Sequence, residues 1–102
     1  MRETMTFEGF RRAALATRTL LEAAFGGKAI AAARTPEEPG APAHLSWMLA
    51  EAIRFYEQGK PQKANRWLGY VQGVMAAMCY ASLEELKRAN MPEGEVFDAE
   101  KL

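Results

Sequence analysis

The sequence predicts an all-α fold. It reads as a small helical bundle built on an antiparallel helix hairpin, about 44–58 and 61–81. An N-terminal helical arm (about 7–25) precedes the hairpin, and a short helix (83–90) follows it. Three observations carry this. Apolar residues recur at three- and four-residue intervals over long stretches, and no stretch alternates as a strand would. Glycine and proline gather between those stretches. Residues that favour helix starts, Thr6 and Ser82, stand directly before two of them.

In the arm, Phe7, Phe10, Ala14, Leu21, Ala24 and Phe25 fall on one side of a helix. Thr6 is the expected N-cap, and Gly26-Gly27 the expected stop. Lys28 to Arg34 is alanine-rich, and its propensity allows a short second helix or a resumption of the first. Residues 35–43, T-P-E-E-P-G-A-P-A, hold three prolines and are read as a loop. The expected organisation is one domain over 1–102. It comprises the arm (1–34), the Pro-rich loop (35–43), a helical body (44–91) and an acidic tail (92–102).

The body opens with Leu45, Met48, Leu49, Ala52, Ile53 and Tyr56 in helical register. Gly59 then ends that helix, and Pro61 suits the first position of the next. So short a turn forces the two helices antiparallel. Ser82 with Glu85 makes a capping box, opening a last helix that closes near Asn90 and Pro92.

The helix from Pro61 is the unusual one. Ala64, Trp67, Leu68, Val71, Val74, Met75 and Met78 form its large-residue face. The other side carries Arg66, Gly69, Gly73, Ala77 and Tyr80, with Tyr70 at its edge. A glycine inside a helix costs about 0.8–1 kcal/mol relative to alanine, so two of them one turn apart call for a reason. The expected reason is close approach. The arm, the last helix or a second copy of the chain should cover the Gly69/Gly73/Ala77 groove. Lys60, Lys63 and Arg66 gather where this helix starts, with Trp67 and Tyr70 nearby. That group would also suit an anionic ligand. The candidate contact residues are therefore Lys63, Arg66, Trp67, Gly69, Tyr70 and Gly73.

Composition narrows the classes of function. With 49% apolar and 25% charged residues, the chain has the balance of a folded soluble protein. Its net charge is zero, which argues against nucleic acid and anionic membranes as partners. Residues 1–34 hold six Arg or Lys against three Glu, and residues 67–102 three against six acids, a mild charge asymmetry. The single cysteine, Cys79, excludes an intramolecular disulfide and fits a reducing cytoplasm, where its default state is a buried, inert thiol. No apolar run is long enough to span a bilayer, and the first residues lack a leader's apolar core.

Catalytic chemistry finds no constellation. His44 is the one histidine and is expected to cap a helix or face solvent. The close carboxylate pairs, Glu37-Glu38 and Glu84-Glu85, are adjacent rather than spaced for one helix face. Gly26-Gly27 lacks the lysine and hydroxyl of a phosphate loop. No enzyme activity, cofactor or metal is expected.

Three segments carry a resemblance: H-L-S-W-M-L-A-E (44–51), K-A-N-R-W-L-G-Y-V-Q-G (63–73) and S-L-E-E-L-K-R-A-N-M-P (82–92). Over residues 44–92 the chain resembles small helical proteins encoded by phages and prophages. That resemblance brings no functional residue with it. What it implies is a context, a protein acting inside a host cell by binding and disabling a host factor. The expected function is thus a non-enzymatic, inhibitory interaction protein with a host-protein partner. The alternative is a protein that binds or sequesters a signalling nucleotide at a helix or subunit interface.

Overall fold

The structure is a computed structural model that describes residues 6–35 and 40–91. The expected acidic tail lies outside the described residues. Among those described there are four helices and no strand: α1 (Phe7–Ala24), α2 (Pro42–Glu57), α3 (Pro61–Ala77) and α4 (Leu83–Ala89). The all-α bundle is as expected.

Local chemistry sets most of the boundaries. The Gly9 N–H donates to Thr6 Oγ1 at 3.1 Å, which caps α1. At its other end the Gly27 N–H reaches back to the Glu22 carbonyl at 2.8 Å, with Gly26 and Gly27 both left-handed (φ +91° and +81°). Helix α2 closes the same way. There the Lys60 N–H bonds the Phe55 carbonyl at 2.9 Å across left-handed Gly59 (φ +80°). Ser82 and Glu85 form the expected reciprocal capping box on α4.

Four expectations need correcting. Residues 28–33 are not helical. So short a run cannot nucleate a helix alone. Here it is held by the Ala33 N–H on the Ala43 carbonyl (3.0 Å) and by Ile30 packed on the core. Helix α2 begins two residues before the expected start, because Pro42 occupies its first turn rather than the loop. Helix α3 ends at Ala77, four residues short of expectation. Cys79 adopts φ +61°, and the Tyr80 N–H bonds the Met75 carbonyl at 2.8 Å, the same closure that Gly26 and Gly59 make elsewhere. Cys79 is exposed there, not the buried thiol expected.

The core lies where α1 crosses the α2–α3 hairpin. Phe10, Leu21, Leu45, Leu49, Val71 and Met75 are its large, fully buried members. Burial of side chains of this size stabilises by about 1.5–3 kcal/mol each. On α1 the buried stripe is Phe10, Ala13, Ala14, Thr17 and Leu21. It differs from the expected one at its end, since Ala24 and Phe25 are exposed. Tyr56 of α2 stacks on Phe10 (5.0 Å between centroids) and lies against Phe7 (5.6 Å), fixing α1 across the hairpin.

Candidate functional site: the outward face of α3

Helix α3 has three kinds of surface. Ala64, Leu68, Val71 and Met75 point into the core and are buried. Trp67 and Val74 line the seam with α2 and are half-buried against the core. The remaining arc, Arg66, Gly69, Tyr70, Gly73 and Ala77, is exposed. A helix with apolar or small residues on nearly every side is normally covered on nearly every side, and this one is not.

The expected cover is absent among the described residues. A Cβ built on Gly69 or on Gly73 meets nothing within 4 Å. Neither α1 nor α4 closes on those positions: α1 packs on α2 and the buried side of α3, and α4 packs on α1. Neither glycine takes a left-handed backbone, and neither makes room for a neighbour. Tyr70 stands beside the groove with 59% of its surface exposed. Met78, expected in the core, is 46% exposed just past the helix end. Its side chain instead lies within 3.2–3.4 Å of a Cβ built on Gly40.

The candidate residues divide into two groups that share Arg66, with Trp67 apart. Arg66, Gly69, Tyr70 and Gly73 share the outward face. Lys63 and Arg66, with Lys60, Gln62, Gly59 and Pro61, line a shallow hollow of about 390 Å³ at the turn between α2 and α3. Trp67 belongs to neither group. Its ring packs edge-on to Phe55 (4.7 Å) and near Trp47 (5.8 Å) in the α2–α3 seam. Lys63 extends over the Phe55 ring at 4.3 Å, a cation–π contact that ties the basic start of α3 to this aromatic row. His44 completes the row. It neither caps α2 nor stands free in solvent, but is half-buried, stacks on Trp47 at 5.5 Å, and sets Nδ1 3.3 Å from the Ala33 carbonyl oxygen.

Charge along this part of the chain is one-sided. From Gln58 to Leu83 there is no aspartate or glutamate, while Lys60, Lys63 and Arg66 all stand at or near the start of α3. The last turn of α3 carries no basic residue. Cations at the positive end of a helix forgo a favourable interaction with its dipole, so this arrangement does not serve the helix itself.

Two further contacts were not foreseen. Gln72 joins three helices at once, with Nε2 donating to Thr17 Oγ1 (2.9 Å) and to Asn90 Oδ1 (2.8 Å). The Tyr80 hydroxyl donates to the Gly40 carbonyl at 3.1 Å, and Phe25 packs edge-on against the Tyr80 ring at 4.9 Å. Neither pairing has a sequence signature, since each joins residues far apart in the chain.

Among the described residues no group of three or more metal-binding side chains gathers, and no helix is long and apolar enough to cross a membrane. Compared with protein-family models, curated proteins and solved structures, the chain matches none. The resemblance to phage-encoded proteins therefore stays an expectation.

Proposed function

We propose that this chain is a non-enzymatic binding protein that docks a partner protein on the outward face of α3 and blocks it. The observation that carries this reading is the pair of uncovered glycines. Each costs helix stability, and no contact or backbone angle within the described residues repays it. A partner backbone closing on Gly69, Gly73 and Ala77 would repay it, with Tyr70 and Arg66 as flanking contacts. Tyrosine and arginine are the residue types that most often dominate interface energy. The resemblance to phage-encoded proteins directs the search for that partner to the proteins of a bacterial host.

The test is affinity capture from bacterial lysate with four baits: the wild-type chain, Tyr70→Ala, Gly73→Leu and, as a control on another exposed surface, Arg18→Ala. The expected result is a protein retained by the wild type and the control but lost from the two face variants. Retention of nothing by the wild type, or of the same proteins by every bait, would sink the reading. Light scattering on the purified chain identifies the remaining occupant, a second copy.

The basic hollow supports a second reading, capture of a signalling nucleotide by Lys60, Lys63 and Arg66. Thermal denaturation against a nucleotide panel decides it. A ligand present at 100 times its Kd adds about 2.7 kcal/mol, and an unmoved melting point removes the idea.

A further inference from the structure

Helix α4 has seven residues, too few to persist by itself in water, so contacts must hold it in place. One contact is apolar, with Leu86 buried where α4 packs on α1. Another is a reciprocal amide pair at the end of α4. Gln72 Nε2 donates to Asn90 Oδ1 at 2.8 Å, and Asn90 Nδ2 donates to Gln72 Oε1 at 2.9 Å. Gln72 also donates to Thr17 Oγ1 at 2.9 Å, and the fully buried Thr17 in turn donates to the Ala13 carbonyl at 2.7 Å. One glutamine amide thus ties α4 to α3 and α1 together.

We propose that α4 is a strap that leaves the α1–α3 core as a unit, and that the Gln72–Asn90 amide pair is its catch. The largest fully buried side chains all belong to α1, α2 and α3, and Leu86 is the one buried residue that α4 itself adds to that core. The amide pair is directional. Both bonds require one placement of Asn90, and both are lost together when α4 shifts. Once released, both amides regain partners from water, so the catch can open without leaving a polar group unsatisfied. Gln72 stands between Gly69 and Gly73 along α3, so an open strap leaves a free amide at the edge of the outward face. The proposal holds whether or not that face binds a partner.

Hydrogen exchange of the full chain, read by mass spectrometry, tests it. In the wild type, the amides of residues 83–90 should exchange at least about tenfold faster than those of the α1–α3 core, which should exchange together. Asn90→Ala should speed exchange in α4 by about a further tenfold and leave the core unchanged, because it orphans Gln72. The double variant Gln72→Leu/Asn90→Leu removes both polar partners and should return α4 towards the wild-type rate. Exchange of α4 at the core rate in the wild type would overturn the proposal. So would an Asn90→Ala variant that leaves α4 unchanged, or one that speeds all four helices equally.

Discussion

At the end of α3 the backbone needs a left-handed residue and has Cys79, at φ +61°. Two turns earlier, the same helix has Gly69 and Gly73, where ordinary helical geometry would accept any residue. The ends of α1 and α2 follow the usual rule, with Gly26 and Gly59 at the left-handed position. In α3, then, glycine is missing where the chain would gain from it and present where the chain loses by it. The difference teaches that neither a backbone angle nor a close neighbour among the described residues calls for Gly69 and Gly73. In the proposed reading their use is a bare surface.

That comparison can be attacked from several sides. The largest effect should come from the inner face: Met75→Ala should cost about 2–5 kcal/mol in denaturant unfolding, as cavity-forming core substitutions do. A cost near zero would mean that the inner and outer faces of α3 are misassigned. Next, Gly69→Ala and Gly73→Ala should each stabilise the isolated chain by about 0.8–1 kcal/mol. A gain of that size corresponds to a rise in Tm of several degrees, roughly 4–8 °C per kcal/mol for a chain of this size. A loss of stability in either variant would show that some intramolecular contact needs the glycine. Cys79→Gly should also stabilise, by about 1 kcal/mol, by relieving the left-handed backbone. Unlike the other two, it should leave partner capture intact. Tyr70→Ala should move stability by less than about 0.5 kcal/mol, because the ring is largely exposed, while abolishing capture.

The smallest effect is expected at α4. Glu85 accepts the Ser82 backbone N–H, which chiefly holds its carboxylate below the usual value, with help from the Ser82 hydroxyl and from Arg88. A carboxylate lowered in the folded state stabilises above its unfolded pKa, and that contribution fades as pH falls through the folded value. Exchange in α4 should therefore quicken relative to the core below the ordinary carboxylate range. Glu85→Gln, which can still accept the Ser82 N–H, should remove that pH dependence.

What could be read from the sequence was local. The Thr6 cap, the Ser82–Glu85 box, the Gly26-Gly27 stop and the Gly59/Pro61 turn all depend on neighbours within a few positions. The end of α3 was not legible, because A-A-M-C-Y-A holds no glycine or proline and the stop depends on Cys79 taking a left-handed angle. Pro42 reads as loop beside Pro36 and Pro39, although a proline equally suits the first turn of a helix, which is where it stands. The outward face of α3 was visible as a pattern, but not its exposure, since whether α1 or α4 covers it is a matter of tertiary placement. Trp67 was grouped with the basic residues by proximity in sequence, and packing against Phe55 and Trp47 took it away from them.

The one-sided charge of α3 bears on approach rather than on hold. Lys60, Lys63 and Arg66 sit at one end of a segment that carries no carboxylate from Gln58 to Leu83. The positive pole of the helix adds to them, so the potential along the outward face slopes from one end to the other. A partner bearing carboxylates would be turned by that slope before any contact forms, arriving with its acidic end over the start of α3. Its association rate would then fall as salt is added, while its dissociation rate would depend on Tyr70 and the glycine groove and change little.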